Sequence, residues 1–249
     1  MQLVTIPISH YVEKARWALD FAGVPYTEDG HAMILHYRAT LPHGSRTVPL
    51  LVDGKQTWRD STDIVVHADS LAPPDRKLYP ADPAQRKQVL DWEDQFDKRL
   101  GPQVRRLAYH RAFPVGPKMA DVLRGKVPDW EVAALKAGFP LAMAVMRRGM
   151  NINAAKAQQS LLRVREQCDA VVAALGDRPY LAGERFTAAD LTFAALLAPL
   201  LDPPEHPTRL IGPQWPADFL ALREEFSAHA AGRWVLGLYA RHRGNRGTP

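Results

Sequence analysis

Residues 71–83 hold four prolines, Pro73, Pro74, Pro80 and Pro83, and they divide the chain into two unlike patterns. Proline fixes φ and removes an amide donor, so neither a helix nor a central strand runs through such a stretch. Ahead of it, short apolar runs alternate with turn residues, which is the pattern of small strands and helices. Beyond it, apolar positions recur only at helical spacing. The chain is therefore expected to fold as a small α/β unit over residues 1–72, a linker over 73–82 and an all-helical unit over 83–249.

In the first unit, Leu3-Val4-Thr5-Ile6 reads as a strand that Pro7 ends. Ser9 stands where a helix N-cap belongs, and Val12, Ala15, Leu19 and Ala22 follow at helical spacing up to Gly23. A hydroxyl is thus aimed from a strand end at the positive end of a helix, which suits an anion, a thiolate included. A serine in this place is also commonly just a cap. Residues 24–27 read as a second strand, and residues 31–45 as helix or loop. Asp53-Gly54 between apolar runs marks a hairpin, with Pro49 at the start of its first strand. A cis bond before Pro49 would leave the Val48 backbone open to pair with an extended, peptide-like ligand. Asp60 and Ser61 open the next helix, through residues 64–68. They are either an N-cap or a pair that grips the carboxylate and ammonium of a ligand.

In the second unit, Pro83 opens a helix with Val89, Trp92, Glu93, Phe96 and Leu100 on one face. Residues 111–155 begin irregularly and become helical. Their Phe139, Met143 and Met146 suit an apolar pocket or simply a core. Residues 154–175 form a helix that stops at Gly176. Thr187 and Asp190 make a capping box ahead of an apolar run, residues 191–201, which belongs at the centre of the unit. Two more helices are expected over 216–228 and 230–241. The basic end, Arg241 to Arg246, reads as a frayed terminus rather than a nucleic-acid arm.

Composition excludes several classes. No apolar run is long enough to cross a membrane as a helix, and no secretory leader is visible. The one cysteine, Cys168, rules out a disulfide within the chain, in keeping with a reducing cytoplasmic location, and its helical spacing marks it as core. The net charge of +5 is carried by the second unit, where signs alternate as on a solvated helix face. No zinc-ligand spacing, phosphate-cradling glycine loop or nucleic-acid motif is present.

Taken in order, the strand–Ser–helix start, Thr47-Val48-Pro49 before a hairpin, Asp60-Ser61 before a helix, the proline-rich linker and the Thr-Ala-Ala-Asp box of residues 187–190 form one pattern. The chain resembles the cytosolic glutathione transferase superfamily over nearly its whole length, in a Ser-type, bacterial-like form. The resemblance implies a thioredoxin-like N-terminal domain, an all-α C-terminal domain and a homodimer. It also implies glutathione as co-substrate and attack of its thiol on an apolar electrophile, as in detoxification. Ser9 matches the catalytic serine that donates to the glutathione sulfur. Val48 and the cis-proline Pro49 match the residues that hold the cysteinyl part. Asp60 and Ser61 match the pair on the γ-glutamyl end, where Glu is the commoner acid, and Arg46 lies near the usual basic residue for the glycyl carboxylate. Tyr11 is a second hydroxyl able to serve the sulfur. His10 stands where proline is frequent; it is either a base or, preferably, a shaper of the loop. The segment has no cysteine, which argues against thiol-transferase chemistry. Glutathione-dependent isomerisation or lyase chemistry, and a non-catalytic binding or scaffold protein of the same fold, are the alternatives.

Overall fold

The computed structural model describes residues 1–209 and 215–244. The first unit is built from β1 (Gln2–Thr5), α1 (His10–Ala22), β2 (Thr27–Gly30), a short helix α2 (Tyr37–Thr40), β3 (Leu50–Asp53), β4 (Gln56–Trp58) and α3 (Ser61–Leu71). The sheet order is β2-β1-β3-β4, with β1 parallel to β2 and antiparallel to β3, and β3 antiparallel to β4. A βαβ unit followed by a hairpin and a helix is the thioredoxin-like arrangement foreseen.

The second strand is displaced from its expected place. It begins at Thr27, opposite Gln2, rather than at Val24. The Val24 amide is already used, because it donates to Leu19 O (2.9 Å) and closes the end of α1 around the left-handed Gly23. Pro25 has no amide to offer a ladder. Residues 31–45 resolve into turns, α2 and one 3₁₀ turn, Leu41–His43, rather than one helix.

The helical unit opens at Pro83. Helix α4 (Pro83–Gln95) passes through a π-helical stretch, Phe96–Leu100, into α5 (Gly101–Ala112). Val89, Glu93, Phe96 and Leu100 are buried on the expected face. A 3₁₀ segment, Phe113–Leu123, bends at Gly116 and leads to α6 (Asp129–Ala137) and α7 (Phe139–Gly149). Then come α8 (Ala154–Leu175), α9 (Ala188–Leu201), α10 (Ala217–Ala228) and α11 (Ala230–His242). Every residue of α9 is buried, so it is the centre of the unit, as its apolar sequence requires. Asp190 accepts from the Thr187 amide (2.8 Å) and from Leu181 N (2.8 Å), which makes the capping box structural.

The basic end is not frayed through Arg243. His242 stacks on Phe186, and its carbonyl accepts from Trp17 Nε1 (3.0 Å). The buried Arg243 guanidinium binds Glu13 (2.7 Å) and Asp20 (2.9 Å) on α1. A desolvated cation has to be paired, and α1 supplies the carboxylates. Asn245 and Arg246 lie outside the described residues.

Helix α1 is the element shared by both units, and it carries three fully buried charges. Glu13 meets Arg16 (2.8 Å) and Arg243. Arg16 also binds Glu28 on β2 through Nη2 (2.6 Å). Lys14 meets Glu93 (3.1 Å) and Asp97 (2.7 Å) and donates to Thr62 Oγ1 (2.8 Å) on α3. Burial works against the Lys14 charge, but Glu93 and Asp97 outweigh it and hold its pKa above the ordinary lysine value. Removing one member of such a buried cluster strands the others. Lys14→Met is expected to lower unfolding free energy by about 3–5 kcal/mol in urea titrations, and Lys14→Met with Glu93→Gln to recover part of that loss. Additive losses in the double variant would contradict the pairing.

Candidate active site between the two units

A cavity of about 380 Å³ lies where the end of β1 and the start of α1 face α5 and the segment that follows it. From the first unit it is lined by Ser9, His10, Tyr11, Arg46 and Val48, and from the second by Arg105, Tyr109, Met119, Met146 and Trp215, among others.

Ser9 occupies the N-cap position of α1, but its hydroxyl makes no bond to the helix's own amides. Backbone bonds fix the residue: its amide donates to Ile6 O (2.8 Å) and its carbonyl accepts from Glu13 N (2.9 Å). The first-turn amides of a helix have no partners within it. The Ser9 hydroxyl and the positive end of α1 therefore meet at the cavity wall, and the capping role allowed by the sequence is not the one the hydroxyl takes.

Tyr11 is committed elsewhere. Its hydroxyl donates to Asp97 O (2.8 Å) in the π-helical stretch. Burial, and then the nearby Asp97 charge, push its pKa above the ordinary phenol value. A Cβ on Gly101 would stand 2.2 Å from the Tyr11 hydroxyl, so only glycine at 101 leaves room for this contact. Asp97 also gives its carboxylate to Lys14 and to Thr62 Oγ1 (2.9 Å), which ties α1, α3 and the helical unit together beside the site.

His10 is 4% exposed and lies against the Tyr11 ring at 4.6 Å between centroids. Burial, and then the positive charge of Arg105, pull its pKa down to about 3, so the ring is neutral. Its Nε2 has no partner among the described residues.

The Val48–Pro49 bond is cis, with Val48 on the cavity wall and Pro49 buried behind it. Arg46 is exposed and lines the same cavity. Asp60 and Ser61 do not line it. Asp60 is exposed at the start of α3 and accepts from Thr62 N (2.8 Å), while Ser61 is buried. Asp60 is near enough for its charge to act on Tyr11, which puts the pair beside the cavity rather than in it. Of Phe139, Met143 and Met146, Met146 lines the cavity, whereas Phe139 and Met143 lie behind its wall in the apolar cluster that all three share with Ala32 and Met33.

Three features were not foreseen from sequence. Lys14 reads as a solvated helix residue until its partners on α3 and α4 are known. Arg105 sits on the polar side of no evident pattern, yet it faces the cavity. Glu131 is 1% exposed and clamps α6 onto the loop after β2, accepting from Ala32 N (2.6 Å) and meeting His31 Nδ1 (2.8 Å). Glu131 bonds to residues about a hundred positions away, and no local spacing signals a contact at that separation.

Residues 3–76 match the glutathione S-transferase N-terminal domain, and residues 132–213 match the glutathione S-transferase C-terminal domain. The chain belongs to the cytosolic glutathione transferase superfamily. It is 28% identical over 156 residues to the tetrachloro-p-hydroquinone reductive dehalogenase of Sphingobium chlorophenolicum, a match that spans 61% of this chain and 60% of that relative's length. Its fold is similar to that of a theta class glutathione S-transferase from the citrus canker pathogen Xanthomonas axonopodis pv. citri with glutathione bound. The TM-score is 0.57 at 23% identity, over 94% of this chain and 96% of the other. A β-etherase from a Sphingobium strain is similar at TM-score 0.60 and 16% identity, over 95% and 98% of the two chains. Among the described residues no helix is long and apolar enough to cross a membrane.

The neutral His10 has a consequence for acid stability. Its folded pKa of about 3 lies below the unfolded value near 6.5, so between those limits the unfolded chain binds the extra proton. Stability is therefore lost as pH falls from 6.5 toward 3. His10→Asn should remove that share: the difference in unfolding free energy between wild type and variant is expected to change by at most about 1.4 kcal/mol per pH unit below 6.5. Urea titrations at pH 7, 6 and 5 measure it, and a pH-independent difference would contradict a buried neutral imidazole.

Proposed function

We propose that the protein is a glutathione-dependent transferase that activates the glutathione thiol and directs it at an apolar electrophile in the cavity. The observation that carries this reading is the Ser9 hydroxyl, placed at the N-terminus of α1, unused by its own helix and open to the cavity. Glutathione as co-substrate fits the family. In this reading Ser9 donates to the sulfur. The α1 amides and dipole then stabilise the thiolate, and a pKa lowered by about two units from roughly 8.5 makes it the main form at neutral pH. Tyr11 is the weaker candidate for the sulfur, because its proton is spent on Asp97 O. It serves instead to hold α1 against the helical unit.

The remaining roles follow from position. The Val48 backbone, ahead of cis-Pro49, pairs with the cysteinyl segment of glutathione, and Arg46 at the cavity wall takes the glycyl carboxylate. Asp60 and Ser61, at the start of α3, take the γ-glutamyl ammonium and carboxylate. Residues 1–72 are then the glutathione-binding domain and residues 83–249 the helical domain that shapes the acceptor pocket. The exposed apolar side chains of Val66 and Leu71 on α3 and Leu90 on α4 suit cover by a second copy in a homodimer. A detoxifying role in the cytoplasm is the setting this reading implies.

Chemistry that needs a protein thiol finds no support. Cys168 lies in α8 at 0% exposure, and burial pushes its thiol up to about 12. The similarity to a dehalogenase favours electrophiles that carry a leaving group. Calorimetry with glutathione is expected to show binding by wild type and by Ser9→Ala alike, while kcat/KM toward a chloronitrobenzene falls about 10- to 100-fold in the variant, the effect of one hydrogen bond to a charged group. Absence of binding at millimolar glutathione would instead favour a scaffold protein with a vestigial site.

A further inference from the structure

We infer that the acceptor of this enzyme is an electrophile with an apolar body and one anionic oxygen group, a carboxylate for instance, and that Arg105 is the residue that binds the anion. The inference rests on the transferase reading above and deepens it by assigning the acceptor's class.

Four observations carry it. Arg105 lines the cavity from α5, and no carboxylate pairs with it among the described residues. The arginines buried away from the cavity are paired, Arg16 with Glu13 and Glu28 and Arg243 with Glu13 and Asp20. Secondly, none of the described residues lining the cavity is Asp or Glu. A half-buried guanidinium in a carboxylate-free wall presents its donors to whatever enters. Thirdly, two further polar side chains of the wall, the Trp215 indole and the neutral His10 imidazole, bring no negative charge of their own. Fourthly, the rest of the wall is apolar, with Met33, Met119, Val122, Met146 and Phe219. A ligand that satisfies all of these has a hydrophobic body and a single acceptor-rich, negatively charged head.

Arg105 is separate from the groups assigned to glutathione. Arg46, Val48, Asp60 and Ser61 all belong to the first unit, whereas Arg105 stands on α5 of the second, beside His10 and Tyr109, on both of which its charge acts. The reaction is redox-neutral. The glutathione thiol gives its proton to solvent on binding. The thiolate sulfur forms a C–S bond at the electrophilic carbon, and the bond from that carbon to its leaving group breaks, the pair departing with the leaving group. Arg105 takes no part in bond making; it sets which acceptor is held.

The test uses a matched pair of acceptors, 4-chloro-3-nitrobenzoate and the neutral 4-chloro-3-nitrobenzamide. Each kcat/KM is divided by its own uncatalysed rate constant with glutathione, which removes the difference in intrinsic reactivity. Wild type is expected to favour the benzoate by about tenfold or more, the scale of one charge-assisted hydrogen bond. That ratio should collapse toward one in Arg105→Gln and persist in Arg105→Lys, which keeps the charge. A wild-type ratio at or below one, or a ratio unchanged in Arg105→Gln, overturns the proposal. A loss of glutathione affinity in Arg105→Gln equal to the loss on the benzoate also overturns it, since the arginine would then serve glutathione. Where neither acceptor is turned over, equilibrium dialysis of the two against wild type and Arg105→Gln reads the same preference. Glutathione calorimetry on the same samples shows separately whether the transferase reading has failed.

Discussion

The structure depends on the burial of α1 with its charges on board. Glu13, Lys14 and Arg16 are all inaccessible, and each is neutralised by a different neighbour: the C-terminal Arg243, the α4 side with Glu93 and Asp97, and the sheet through Glu28. An unpaired charge in such a place costs several kcal/mol, so α1 is tolerated only in one position relative to all three. That constraint is what makes the helix start a fixed object. Ser9 and the first-turn amides are held against the cavity by contacts that lie one and two turns further along the same helix.

The same network reaches the rest of the site. Asp97 binds Lys14 and Thr62 through its carboxylate and Tyr11 through its carbonyl. Thr62 adjoins the Asp60–Ser61 pair, and Gly101 leaves the space Tyr11 needs. Helices α1 and α3 and the π-helical stretch are therefore tied together by side-chain hydrogen bonds. The far side of the cavity is held differently, by the Glu131 clamp on Ala32 and His31 and by an apolar cluster of its own. One wall fixes where a thiolate would sit, and the other offers donors and apolar surface to an acceptor.

Most of the framework was legible in the sequence because it rests on local signals. Pro83 and Gly176 mark helix ends, Asp53-Gly54 marks the hairpin, and the Thr187–Asp190 box precedes a helix that is apolar on every side. The second strand was misplaced because Val24, apolar and strand-like, spends its amide on the cap of α1. The basic end was misread because Arg243 is a core residue only by virtue of Glu13 and Asp20, more than two hundred positions earlier. The candidate site divides in the same way. Ser9 and Asp60 sit at strand–helix turns and Val48 stands before the proline that opens a strand, so all three could be singled out, whereas Lys14, Arg105 and Glu131 owe their character to long-range partners, or to the lack of them.

The central claim is that the start of α1 stabilises a thiolate. It is tested most directly by following the ultraviolet absorbance of bound glutathione as pH is raised through the range 5–10. The account predicts a midpoint about two units below the roughly 8.5 of a free thiol. A bound thiol that titrates at its free value would mean that the Ser9 hydroxyl and the helix end do not act on the sulfur, and would contradict the account.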